Sequence, residues 1–154
     1  MVGADRIMGN RCIWGGSSTS TEKPWGYEIE WSGIFHGKEI HLRAGHRTSL
    51  KFHPLKQEVL YVQCGMIEAE MADESHFSDE VLSPARSKIL RAGDIINVQA
   101  NCAYRLTALD DSIVFEISSG ATGSPPVRLE DDYGREVDNS GKYIFVHPKK
   151  ENDN

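Results

Sequence analysis

Between Tyr27 and Ile117 the chain is a succession of short runs that alternate in polarity: YEIEW, EIHLR, SLKFH, VLYVQ, MIEAEM, DIINV, YRLTAL and SIVFEI, separated by turn residues. Side chains on a strand point to opposite faces in turn, so a period of two is the mark of a half-buried strand. No apolar repeat at helical spacing persists over three turns in this span. Many short strands at roughly 8–12-residue spacing predict a β-sandwich or barrel of the jelly-roll kind. With 154 residues the chain fits one domain with tails.

The flanks read differently. Residues 1–22, with the stretch GGSSTSTE, have no sustained period and predict a loose N-terminal arm in which Cys12 and Trp14 could dock. The polar segment Ala72 to Ser87 predicts a loop inserted between two strands. After Ile117, SSGATGSPP reads as a linker, and VRLEDDYGRE opens a C-terminal extension that contains the apolar run YIFV. The expected layout is an arm over 1–22, a barrel over 23–120 and an extension over 121–154.

Composition excludes several function classes. Hydrophobic residues make up 39% of the chain and charged residues 26%, enough to close a core under a soluble surface. The net charge is −6, and the longest basic block is the pair Lys149 and Lys150, so the concentrated positive surface needed for nucleic acid is missing. No run approaches the roughly 18 apolar residues of a membrane span, and the N-terminus carries no apolar signal core. Cys12, Cys64 and Cys102 are an odd count without CxxC spacing, which argues against a disulfide framework or a zinc knot. The expected location is a reducing cytoplasm.

One constellation carries chemistry. Alternation places Ser49, Lys51 and His53 on one face of their strand, and Glu58, Leu60 and Val62 on one face of the next. If the two strands pair through a turn at Pro54 to Gln57, Lys51, His53 and Glu58 converge on a space lined by Leu and Val. An unsatisfied buried polar group costs roughly 2–7 kcal/mol, so such groups must pair, ligate a metal or meet a ligand. A functional site and a plain buried Lys51–Glu58 ion pair both satisfy that demand.

The same stretch, G-x5-K-x-H-x4-E-x6-G from Gly45 to Gly65, resembles the first motif of the cupins, with Lys51 where the first histidine stands. Gly93 to Tyr104, GDIINVQANCAY, keeps the spacing of the second cupin motif, with Gln99 for its proline, Asn101 for its second glycine and Tyr104 for its histidine. Three further stretches are KPWGYEIEW (Lys23 to Trp31), GKEIHLRAGHRTSL (Gly37 to Leu50) and VRLEDDYGR (Val127 to Arg135). Together they resemble the small cupins similar to the C-terminal domain of type II phosphomannose isomerases, between Lys23 and Arg135.

That resemblance implies an all-β cupin barrel, a double-stranded β-helix, that forms a homodimer through a strand edge. It implies a divalent metal, zinc, manganese, iron or nickel, at the positions of Lys51, His53, Glu58 and Tyr104. Only His53 and Glu58 are ordinary metal ligands there. An ammonium repels a cation, so the metal is expected to be weakly held or lost. Cys102 and His41 are the candidates for a replacement ligand. The implied chemistry is aldose–ketose isomerisation of a mannose-6-phosphate-like sugar, with the Lys51 ammonium as electrophile, Glu58 or His53 as base and Tyr104 as proton donor. Lys56, Arg47, Arg105 and Lys23 are candidate phosphate contacts. The competing expectation is a non-catalytic cupin that binds a sugar, a nucleotide sugar or another small anion.

Overall fold

A computed structural model describes residues 12, 14–33, 35–72, 84–119 and 125–149. Its strands are β1 (Ser17–Lys23), β2 (Gly26–Ser32), β3 (His36–Leu42), β4 (Leu50–Phe52), β5 (Glu58–Cys64), β6 (Met66–Met71), β7 (Arg86–Arg91), β8 (Ile95–Val98), β9 (Tyr104–Ala108), β10 (Ser112–Ser118) and β11 (Val127–Glu130). Among the described residues there is no helix. The strands form two antiparallel sheets, β1-β2-β3-β10-β5-β8 and β11-β4-β9-β6-β7, that face each other as a jelly-roll barrel.

The barrel interior is filled by inward side chains from both sheets. Ile40, Leu42, Leu60, Val62, Ile96, Val98 and Val114 come from the six-stranded sheet, and Ile67, Ala69, Leu90 and Leu106 from the five-stranded one. Full burial of an aliphatic side chain such as Leu60 or Ile67 contributes about 1.5–3 kcal/mol, so this cluster is the main source of cohesion. A second core lies on the outer face of the five-stranded sheet, where Leu50, Phe52 and Ala103 are buried with Val127, Leu129, Tyr143 and Phe145 packed against them. The C-terminal extension therefore covers that face. Its docking also carries the backbone bond from Ala85 N to Val146 O and an edge contact between Phe52 and Tyr143.

Two glycines are required by close approach. A Cβ on Gly26 would lie 1.8 Å from the His41 carbonyl oxygen, which explains the glycine after Trp25 at the β1–β2 turn. Gly65 turns the corner between β5 and β6, hence between the sheets, at φ +87, and a Cβ there would lie 2.2 Å from Ser112 Oγ. Asn101 adopts φ 63, the left-handed conformation that glycine takes without strain and that asparagine tolerates. The second motif thus keeps its backbone shape although its glycine is replaced.

Three expectations change. Residues 17–22, placed in the loose arm, pair with β2 along its whole length, because Ser and Thr suit an exposed edge strand even without an apolar period. Arg86 and Ser87, placed in the long loop, already belong to β7, whereas 73–83 lie outside the described residues. The two strands of the first motif are not neighbours: β4 pairs with β9 and β11, and β5 with β10 and β8. The link through Pro54 crosses from one sheet to the other, so its residues meet across the barrel rather than side by side.

Candidate functional site

Alternation on β4 sends Leu50 and Phe52 outward under the C-terminal extension, which leaves Ser49, Lys51 and His53 facing the barrel interior. From the opposite sheet β2 supplies Glu28, β3 Lys38, β5 Glu58 and β10 Glu116. Lys23, Trp25, Lys56, Arg128 and Arg135 complete the surround. The cavity so formed has a volume of about 260 Å³. Six basic side chains line it, against the lining carboxylates Glu28 and Glu116.

Lys56 holds the anionic side together. Its ammonium donates a hydrogen bond to Glu116 Oε1 at 2.7 Å and lies 2.7 Å from Glu58 Oε1, an ionic contact off hydrogen-bond geometry. The two carboxylates raise the Lys56 pKa in spite of burial. The second oxygen of Glu58 accepts the Tyr104 hydroxyl at 2.6 Å. Burial pushes the Glu58 carboxyl up, but Lys56, the Tyr104 hydrogen bond and Lys51 together hold it below its ordinary value. Tyr104, itself buried beside Glu58 and Glu116, is pushed well above the usual phenol range and stays a neutral donor. Glu28 is likewise held low, with Lys38 and Lys23 overriding its burial.

His53 is the unsatisfied member. Its side chain is 10% exposed, and neither Nδ1 nor Nε2 has a hydrogen-bond partner, although Nε2 lies 3.3 Å from Glu58 Oε1. Burial, Lys51 and Lys56 push its pKa down to about 4, so the ring is neutral at pH 7. Lys51 stands opposite Tyr104 in the β4–β9 register. Burial lowers its pKa although Glu116, Glu58 and Glu28 oppose the shift.

The structure thus brings together Lys51, His53, Lys56, Glu58 and Tyr104, and Lys23 with them. It places the two remaining candidates elsewhere. Arg47 makes a two-pronged ion pair with Asp132. Arg105 is fully buried under the extension, where it donates to the Thr48 carbonyl at 3.2 Å and to Glu130 Oε2 at 3.0 Å. Both arginines anchor the VRLEDDYGR segment, and neither lines the cavity. Within that segment Asp131 takes both arms of Arg135 and the backbone N–H groups of Tyr133 and Arg135.

A divalent metal does not fit at the His53–Glu58 place. Glu58 Oε2 is occupied by a phenol proton and Oε1 by an ammonium, while the remaining two positions carry Lys51 and Tyr104. Neither replacement ligand reaches the place. His41 lies on the outer sheet face, stacked on Tyr27 and bonded to Glu39, and Cys102 packs against the barrel core. Among the described residues no group of three or more His, Cys, Asp and Glu side chains is arranged to hold a metal ion.

Glu28, Lys38 and Glu116 were not foreseen from sequence. The available signal was the alternation of YEIEW and SIVFEI, but it points the large apolar residues outward and the acids inward, the reverse of the usual reading of such strands.

No protein-family model and no curated protein matches the sequence. Solved structures do match the fold. An oxalate decarboxylase from Bacillus subtilis with Mn(II) centres superposes with a TM-score of 0.64 at 14% identity, covering 78% of this chain and 34% of that one. KdgF from Halomonas sp. gives a TM-score of 0.55 at 16% identity, covering 67% of this chain and 88% of that one. An oxalate decarboxylase from Lactobacillus farciminis gives 0.56 at 16% identity, with 71% and 33% covered. The chain therefore spans about a third of the length of the oxalate decarboxylases. The fold is the cupin β-barrel.

Proposed function

We propose that this cupin binds a small anionic carbohydrate, a sugar phosphate or nucleotide sugar, in the Lys51 cavity, with lysine ammonium groups in place of a metal. The observation that carries this reading is the charge of the lining. Even when Glu58 and Asp131 are added to the two lining carboxylates, the six basic groups remain in excess by two. An enclosed, partly desolvated surplus of positive charge is a site for an anion. Isothermal titration with mannose 6-phosphate, inorganic phosphate and uncharged mannose tests it: the phosphates should bind and mannose should not. Equal binding of mannose and its phosphate would remove the basis of the reading.

A second, catalytic reading is favoured by His53. Aldose–ketose isomerisation needs a base between adjacent carbons and an electrophile at the carbonyl. His53 is a neutral ring with both nitrogens uncommitted beside Lys51, whereas both oxygens of Glu58 and the Tyr104 proton are already engaged. In this isomerase reading, with a mannose-6-phosphate-like substrate, His53 is the base and Lys51 the electrophile. Proton NMR of hexose phosphates incubated with the protein would reveal ketose formation, and its complete absence would restrict the protein to binding.

A homodimer completes the proposal. The outer face of the six-stranded sheet presents Tyr27, Trp31, Val59, Tyr61, Ile95 and Ile117, all at least 36% exposed. Covering such an apolar face is what a self-association interface does. Light scattering on the protein and on a Tyr61→Arg variant checks it, the variant shifting toward monomer. We place the protein in a reducing cytoplasm, a location supported by the thiols of Cys12 and Cys64, which form no disulfide among the described residues. No helix among the described residues is long and apolar enough to cross a membrane.

A further inference from the structure

Lys51 differs from the other lysines of the cavity. Lys23 and Lys38 approach Glu28 at 3.5 and 3.4 Å, and Lys56 lies 2.7 Å from both Glu58 and Glu116. Among the described residues no carboxylate comes within the 4.0 Å of an ion pair from the Lys51 nitrogen, and no hydrogen bond engages it. Lys51 projects, half-buried, from β4 into the barrel cavity, with His53 two residues away on the same face.

A cavity lysine with no ion pair or hydrogen bond of its own has no partner to displace when it gives up a proton, unlike Lys23, Lys38 and Lys56. A neutral amine in a pocket is a nucleophile toward carbonyl carbon. The His53 ring on the same face has neither nitrogen hydrogen-bonded, so it is placed to take up and return protons.

We propose that Lys51 captures the carbonyl group of an open-chain aldose or ketose phosphate as an imine, with His53 carrying the protons of the addition and dehydration steps. The inference rests on the anionic-carbohydrate reading, because the surrounding basic groups must first hold the phosphate. The nitrogen lone pair adds to the carbonyl carbon and the carbonyl π electrons move to oxygen, which gives a carbinolamine after proton transfer. The carbinolamine C–O bond then breaks, the oxygen departs as water, and the C=N bond forms. Amine and carbonyl compound become imine and water, and nothing is oxidised or reduced.

The test is reductive trapping on the intact chain. The protein is incubated with glyceraldehyde 3-phosphate and cyanoborohydride, and the stable secondary amine is located by peptide mass mapping. Binding of glycerol 3-phosphate, which has the phosphate but no carbonyl, is measured in parallel by titration calorimetry. The adduct should concentrate on Lys51, be suppressed by excess glycerol 3-phosphate and be lost in Lys51→Arg, which keeps the charge without the nucleophile. The map is made on the unaltered chain, so it decides the matter even if that variant does not fold. Labelling confined to surface lysines while glycerol 3-phosphate binds would overturn the imine and leave the anion site standing. Failure of both compounds to engage the cavity would overturn both.

Discussion

The Tyr104 hydroxyl donates to Glu58 Oε2 at 2.6 Å, a bond that joins the five-stranded sheet to the six-stranded sheet through the barrel interior. Both groups are buried, at 3% exposure each. A hydrogen bond to a charged group contributes about 1.5–3 kcal/mol, and its loss leaves the carboxylate oxygen unsatisfied. Tyr104→Phe should therefore lower unfolding stability by about that amount, and raise the Glu58 pKa. Urea denaturation measures the first and carbon-13 NMR titration the second. An unchanged denaturation midpoint would show that the bond contributes nothing.

Lys56 neutralises two carboxylates at once. Removing one member of a buried ionic cluster costs about 3–5 kcal/mol, since the uncompensated charge remains. Lys56→Met should show a loss of that order at pH 7 and a smaller one in acid. The sign follows from Glu58. In the natural protein its depressed pKa contributes stability above the unfolded value of 4.5, lost as the pH falls through the folded value. Without Lys56 burial dominates, the pKa rises, and stability falls as the pH rises instead. Denaturation midpoints of the two proteins across the acid range provide the comparison.

His53 titrates in the folded state at about 4, against 6.5 for an ordinary histidine. Between those values the unfolded chain holds the proton and the folded chain does not, so stability declines as the pH falls from 6.5 toward 4. Each pH unit between the folded and unfolded values is worth about 1.36 kcal/mol, which makes the full decline about 3 kcal/mol. His53→Asn should flatten the stability profile in that window. An imidazole resonance that titrates near 6.5 in the folded protein would contradict the burial account.

Rebuilding the metal place reverses the argument from donor chemistry. Lys51→Gln combined with Tyr104→His restores two neutral donors beside His53 and Glu58, and frees Glu58 Oε2 from the phenol proton. The double variant should bind zinc or manganese more tightly than the natural protein. A further Lys56→Ala change should strengthen it again by freeing Oε1. Calorimetric titration with each metal gives the order, and no gain in either variant would refute the claim that these side chains displace the ion.

The strand repertoire was legible because period two survives in β2, β3, β5, β6 and β10. The site was legible because Lys51, His53 and Glu58 keep their motif spacing. What the sequence concealed has physical causes. Glu28 and Glu116 alternate with Tyr27, Ile29, Phe115 and Ile117, and one-dimensional polarity assigns the apolar set to the core. Here the barrel interior takes the acids, because lysines from β3, β4 and the following loop stabilise them there. The β4–β5 relation was hidden for a different reason: a turn and a crossing between sheets both need a polar residue run with proline. Arg47 and Arg105 looked like phosphate contacts because nothing local reveals that Asp132 and Glu130 will meet them.

Strand β4 has three residues and a single register partner on β9, so most of its support comes from β11 on its other side. The strand that carries Lys51 is thus clamped by residues 127–130, contributed some eighty positions later in the chain. During synthesis all strands of the six-stranded sheet are present once β10 has emerged, while the cavity-facing strand must wait for β11. Domains form progressively as the chain is made. The charged cavity is therefore completed last, because β11, with its Arg128 and the preceding Pro126, supplies both the main partner of β4 and part of the cavity wall.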